Sequence, residues 1–253
     1  MAIPSTTYDI ATATNPSAAL TDFTFIVDLS NLSAGGKSAW NTSEQGRGRV
    51  SKGEGTTELA ADWIDLDHTA KTGLVRIKWS GTLASSGTQQ VRIYPPNTAN
   101  TAYGVSDTYG QYNAYDSGYV FYSPNSAEDN RVSASYTATT NGGISPGDAT
   151  INGHPATSYD GSGDYVTFGN ITELDGNDEA TWLIAISGFI DSGTQSIFRK
   201  YGSWTPLQLF SDTGRFVTWT PSLDNDEYSM PTISDSQYFA TYDGGSNAKQ
   251  VYW

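Results

Sequence analysis

Residues 22–29 read Asp-Phe-Thr-Phe-Ile-Val-Asp-Leu, and this stretch decides the fold class. Every second residue from Phe23 to Leu29 is apolar, and side chains at that spacing lie on one face of an extended strand. A helix would instead place apolar residues three or four positions apart. The stretch therefore predicts a β-strand with one buried face.

The same alternation returns twice in the first half of the chain. Residues 74–79 alternate apolar side chains with Arg76 and Lys78, and residues 91–94 alternate more weakly before Pro95 and Pro96 end the run. Short strands separated by Gly-rich turns are typical of a sandwich or barrel. We predict a half-solvated antiparallel β-sandwich domain at residues 20–97.

The regions on either side of this domain lack the alternation. Residues 1–19 are polar, and we expect an N-terminal arm that becomes ordered against a partner. Residues 98–118 are rich in Tyr, Asn, Ser and Gly, which predicts a linker.

The second half, residues 119–253, predicts another antiparallel β-sandwich built from short apolar runs between Gly, Asp, Asn and Pro residues. The run around Trp182–Ile186 is apolar on both faces, so we expect it to be a central strand. The predicted strands are 165–168, 181–187, 196–199, 207–210, 215–220, 238–242 and 249–253.

Composition narrows the class of protein. The 253 residues carry a net charge of -14 with only 13 Lys and Arg, so binding to nucleic acid or to an anionic membrane is disfavoured. With no Cys, thiol chemistry and Cys-ligated metals are excluded. No stretch has the roughly 18 apolar residues of a membrane span. The start of the chain lacks the features of a signal peptide, so we expect no classical export.

Several stretches carry a resemblance to known domains. Residues 22–33, 55–59 and 69–79 resemble a bacterial and phage domain family of unknown function that commonly precedes a laminin-G-like jelly roll. Residues 158–169, 181–187 and 240–244 resemble that concanavalin A-like jelly roll itself. The resemblance implies an all-β chain of two sandwiches, the second of which would be completed beyond Trp253 or by a neighbouring subunit. Such jelly rolls are mostly binding or structural modules, although the fold also hosts glycoside hydrolases.

Catalytic patterns are weak, and we predict no catalytic residue and no cofactor. Glu173 and Asp175 lie before a Gly-Asn turn and not on one strand face, as paired catalytic carboxylates would. His68 and His154 lie in different predicted domains, without a triad or zinc pattern around them.

Two short acidic stretches are weak calcium candidates, because Ca²⁺ prefers clustered oxygen ligands. They are Asp160 with Asp164 and Asp224 with Asp226. The same residues also form Asx-turns and hairpins without any ion, and that is the stronger interpretation.

Aromatic side chains offer a weak glycan-binding hypothesis, because a sugar ring stacks on Trp or Tyr. The candidates are Trp204, Trp219, Tyr109 and Tyr112, with the alternative that they belong to the core.

Together these features favour a non-enzymatic virion protein of a bacteriophage, such as a capsid decoration, tail fibre or tail-associated component. It would assemble in the host cytoplasm, form a homo-oligomer, contact other virion proteins and bind a host-surface glycan. The alternative is a bacterial extracellular carbohydrate-binding protein, and a glycoside hydrolase is weaker still.

Overall fold

The computed structural model divides the chain into two compact units. The first comprises residues 1–124 and 130–135, and the second comprises 125–129 and 136–253. The structure describes residues 8–15, 18–125, 128–151 and 153–174, and beyond these the backbone of the strands at 179–187, 195–199, 208–211, 215–220, 223–229, 235–243 and 248–252.

Nine strands lie in the part of the first unit that the structure describes. They pair antiparallel in the orders β1-β9-β4-β5, β3-β7-β6 and β2-β8. The strands are β1 (Asp9–Thr14), β2 (Leu20–Thr21), β3 (Thr24–Asp28), β4 (Arg49–Lys52), β5 (Glu58–Leu59), β6 (Ala61–Asp67), β7 (Thr72–Lys78), β8 (Thr82–Leu83) and β9 (Thr88–Tyr94). A short helix, α1 (Ala34–Ser38), and 3₁₀ turns at Leu29–Asn31, Gln45–Arg47 and Gln111–Ala114 complete it.

The core of the first unit draws side chains from both larger sheets into one hydrophobic cluster. The deciding stretch behaves as predicted, since Leu29 is fully buried and Phe23, Phe25 and Val27 pack against the cluster. The buried members are Leu29, Leu32, Trp40, Val50, Leu59, Ala61, Trp63, Val75, Ile77, Trp79, Val91 and Ile93. Burial of this shared face is what holds the two sheets in one unit.

The opposite face of β7 is not left to solvent as expected. Arg76 is only 6 % exposed, because tyrosines from the segment after β9 cover it. The sheet is therefore buried on both faces at this point.

The second unit is also built of antiparallel strands. Two short pairs come first: β10 (Thr139–Asn141) with β13 (Tyr165–Thr167), and β11 (Ala149–Ile151) with β12 (His154–Ala156). A 3₁₀ turn at Thr172–Leu174 follows. Two larger sheets have the orders β14-β19-β20 and β15-β16-β17-β18. Their strands are β14 (Glu179–Ser187), β15 (Gln195–Arg199), β16 (Gln208–Ser211), β17 (Arg215–Thr220), β18 (Leu223–Ser229), β19 (Asp235–Asp243) and β20 (Ala248–Tyr252).

All-β architecture is thus confirmed, and the predicted strands of the second half match β13 to β17, β19 and β20 within a few residues. The order of the strands corrects one expectation. β14, which contains Trp182, is an edge strand of the three described strands of its sheet, and β19 is the central one. Asp224 and Asp226 belong to β18 (Leu223–Ser229), a strand that was not predicted and whose backbone pairs antiparallel with β17. The finer arrangement as two sandwiches and a jelly roll remains a prediction.

The division into units also differs from the predicted boundaries. Residues 9–14 of the expected arm form β1, which pairs with β9 over six residues. Residues 98–118 of the expected linker belong to the first unit. This segment lacks period two because it contacts the strands through the hydroxyls of Tyr103 and Tyr115 and the carbonyl of Tyr115, and not through a ladder of backbone hydrogen bonds.

Candidate functional site

A cleft in the first unit lies between three segments, residues 45–48, 61–63 and 103–111. Its cavity volume is about 40 Å³. A drug-sized ligand needs roughly 300 Å³ or more, so this cleft takes one edge of a ligand and not a whole molecule. Glycine lets the walls approach: the carbonyl of Gly46 accepts a hydrogen bond of 2.8 Å from the N–H of Tyr103. At Gly48 a Cβ atom would overlap the ring of Trp63.

Next to one wall of the cleft lies a buried ion pair. The side chains of Arg49 and Glu58 are 3 % and 6 % exposed, and Arg49 Nε is 3.5 Å from Glu58 Oε1. The hydroxyl of Tyr103 lies 3.0 Å from both carboxylate oxygens of Glu58 and donates to that carboxylate. The Arg49 guanidinium stacks over the Tyr103 ring, 3.7 Å from its centroid. Both charges are thus compensated beneath the cleft.

Burial sets the protonation of this group. It raises the pKa of the Glu58 carboxyl and lowers the pKa of Arg49. Burial, together with the hydrogen bond to Glu58, raises the pKa of Tyr103 to about 12. Tyr103 is therefore a neutral hydroxyl donor at neutral pH.

A second buried ion pair joins β6 to Arg131, which lies in the stretch of the first unit at residues 130–135. Arg131 donates from Nε to Asp62 Oδ2 at 2.9 Å and from a second nitrogen to Asp62 Oδ1. Asp62 is only 1 % exposed and also accepts a hydrogen bond from the Tyr115 hydroxyl. Burial, with the nearby Asp62 charge, raises the pKa of Tyr115. The carboxylate is saturated by its own chain.

Arg131 also orients two amides that line the cleft. It donates to Gln45 Oε1 at 2.9 Å, and its backbone carbonyl accepts from Gln111 Nε2 at 3.2 Å. A guanidinium can only donate and a carbonyl can only accept, so these partners fix which way each amide points.

A third arginine is enclosed by aromatic rings on the outer face of β7. The Arg76 guanidinium lies 5.0, 4.8 and 5.2 Å from the ring centroids of Tyr115, Tyr119 and Tyr122. It donates to the Tyr119 hydroxyl at 2.9 Å, while its Nε is buried without a hydrogen-bond partner. Cation–π contact replaces the missing hydrogen bond and ties residues 115–122 to the sheet.

Of the two glycan candidates whose side chains the structure describes, Tyr109 lines this cleft and Tyr112 does not. The ring centroid of Tyr109 lies 6.0 Å from that of Tyr103, tilted by 49°. Tyr112 is in the same segment, with its N–H bonded to the carbonyl of Val105. Trp219 is on β17, where its backbone pairs with Gln208. Trp204 lies outside the described residues.

Of the two predicted calcium pairs, the structure describes the side chains of Asp160 and Asp164. Asp164 accepts backbone hydrogen bonds from Asp160 at 2.8 Å and from Gly143 at 3.2 Å, and Asp160 accepts one from Ser162 at 2.6 Å. These bonds are those of turns, and the bond from the Asp160 N–H lowers the pKa of Asp164.

Asp224 and Asp226 belong to β18. Among the side chains that the structure describes, no group of three or more His, Asp or Glu residues could hold a metal ion. Calcium binding stays a prediction at both places.

The residues considered for catalysis belong to both units. Glu173 accepts a hydrogen bond from the Tyr136 hydroxyl, and Asp175 lies outside the described residues. His68 Nδ1 is 3.0 Å from Ser43 Oγ, and His154 is on β12. Within the described part of the chain, no helix has the length and apolarity of a membrane span.

Sequence reasoning missed most of this cleft. Gln45, Gln111 and Arg131 belong to no motif, and their contacts join residues 20 to 86 positions apart. The signal in the sequence was the tyrosine-rich composition of residues 98–118, which was interpreted as a linker. Comparison with protein-family models, with curated proteins and with solved structures found no match to this chain. The resemblance stated above remains a prediction.

Proposed function

We propose that this protein is a non-enzymatic structural and binding component of a bacteriophage virion surface, a decoration, fibre or tail-associated protein. The observation that carries the proposal is that the protein neutralises its buried carboxylates near the cleft with its own side chains. Glu58 and Asp62, the buried carboxylates near the cleft, are each held by an arginine and a tyrosine. Carboxylates whose hydrogen-bonding and charge partners come from their own chain stabilise the segment that supplies those partners.

The arginine contacts also stabilise the surface of the first unit, as a protein on the outside of a particle requires. Three arginine contacts tie later parts of the first unit to its strands, at Thr101, Tyr119 and Arg131, without disulfides. The net charge of -14 disfavours non-specific clumping between copies and adhesion to anionic envelopes. Specific contacts with other virion proteins and with further copies of the chain would then carry the assembly, and many small interfaces are sufficient when copies repeat.

The experiment is to purify particles on a density gradient from a lysate of cells that carry the gene, and to quantify the chain by mass spectrometry. We expect it to co-migrate with particles at a fixed number of copies per particle. Recovery from the cell surface or medium alone would favour the alternative, a bacterial extracellular carbohydrate-binding protein. Polysaccharide hydrolysis that is lost in Glu173→Gln would contradict a non-enzymatic role.

A further inference from the structure

The cleft of the first unit presents a hydrogen-bond donor and an acceptor beside two tyrosine rings. Gln45 uses its Oε1 on Arg131, and Gln111 uses its Nε2 on the Arg131 carbonyl. Each amide therefore keeps its other polar atom, the Nε2 donor of Gln45 and the Oε1 acceptor of Gln111. Neither of these atoms has a hydrogen bond within the described part of the chain.

The charge at the cleft is balanced, which selects among ligands. Arg49 is paired with Glu58, and Arg131 with Asp62. A charged ligand would meet no uncompensated partner there, so its desolvation would not be offset. A neutral ligand is favoured.

The shape favours a ring that has an apolar face and a polar edge. Tyr109 is half-buried with its ring tilted against Tyr103, and Val105 at the cleft is 49 % exposed. A sugar ring stacks its C–H face on such a surface, and each of its hydroxyls can both donate and accept. A volume of about 40 Å³ admits one hydroxyl-bearing edge of the ring.

We propose that this cleft, formed by Tyr109, Tyr103, Gln45 and Gln111, binds the edge of one neutral hexose residue of a glycan. Gln45 donates to one hydroxyl, Gln111 accepts from another, and the Tyr109 ring stacks on the sugar. A single small contact of this kind gives a dissociation constant of about 1–10 mM, and repeated copies would strengthen it. This inference goes beyond the structural role proposed above and does not depend on it.

Saturation-transfer NMR with methyl glycosides of glucose, galactose, mannose and N-acetylglucosamine tests the site on the full chain. At least one glycoside should bind, and glucuronic acid and glucosamine should bind no better. Tyr109→Ala should weaken binding by about tenfold or more, because it removes the ring on which the sugar stacks. Gln111→Met should weaken it by about fivefold through loss of one hydrogen bond.

Tyr112→Ala is the matched control, because this tyrosine is in the same segment but outside the cleft, and it should bind as the unaltered protein does. If Tyr109→Ala does not fold, as judged by circular dichroism, Gln111→Met decides alone. Absence of binding to all four glycosides at about 20 mM would overturn the proposal. Unchanged binding in both Tyr109→Ala and Gln111→Met would overturn it as well. So would a preference for glucuronic acid, or for N-acetylglycinamide, which has amide hydrogen-bonding groups but no sugar ring. Particle association is measured separately, so either proposal can fail without the other.

Discussion

Arg131 donates two hydrogen bonds to the carboxylate of Asp62, a residue 69 positions earlier in the chain. Both side chains are buried, at 8 % and 0 % exposed. The pair fixes Arg131 against β6. Arg131 in turn orients the side-chain amides of Gln45 and Gln111, which line the cleft.

Replacement of Arg131 should lower the stability of the first unit. Arg131→Met leaves Asp62 buried without its counter-charge, and we expect a loss of about 3–5 kcal/mol in the stability of the first unit. Amide hydrogen exchange of β6 and β7 measures it. Glu44→Gln, which removes an ion pair whose carboxylate is 49 % exposed, should cost about 1 kcal/mol or less. Equal protection in the two variants would contradict the prediction.

Tyr103 makes stability depend on pH in alkaline solution. Its pKa is about 12 in the folded protein against 10.0 ordinarily, so folding favours the protonated hydroxyl. This contribution is fully present below pH 10 and is lost as the pH rises toward about 12. The thermal midpoint should fall across that window, and fall less in Tyr103→Phe. Tyr165→Phe, at a residue 53 % exposed, should follow the unaltered protein, and identical profiles for all three would refute the assignment.

Arg76 should not be replaceable by lysine. An ammonium keeps the charge but loses the planar face that lies against three tyrosine rings, and we expect a cost of about 1–2 kcal/mol. Limited proteolysis should then cut within residues 111–122 faster than before. Arg92→Lys, whose parent guanidinium lies over one ring only, is the control. An unchanged cleavage rate in Arg76→Lys would contradict the prediction that cation–π contacts hold residues 115–122 on the sheet.

Gly48 should be intolerant of a side chain. A methyl group there would overlap the Trp63 ring in the core, and overpacking of this kind costs about 1–3 kcal/mol. Gly35→Ala in α1, where the nearest atom is Ser33 Oγ at 3.7 Å, should be neutral or slightly stabilising. Urea unfolding curves of the two variants compare the sites directly, and a stable Gly48→Ala would show that the Trp63 ring can move aside.

The strands were the predictable part of the fold, because alternating burial is a local property. Residues 22–29 and 74–79 carry it plainly. β1 was not predicted because its inward residues Ala11 and Ala13 are small, and β18 because Asp, Asn and Glu occupy four of its seven positions. The cleft could not be predicted, since Gln45 meets Arg131 only after the chain has folded over 86 positions. From the sequence, only the tyrosine content near Tyr109 indicated a binding surface.

The chain passes between its two units three times, because residues 125–129 belong to the second while 130–135 return to the first. During synthesis, Asp62 therefore leaves the ribosome long before the arginine that neutralises it. A nascent chain of 124 residues contains every strand of the first unit but lacks Arg131. At about 5–20 residues per second, several seconds separate the two events. A gene cut at residue 124 would therefore encode the first unit without the cation that compensates the buried Asp62 carboxylate.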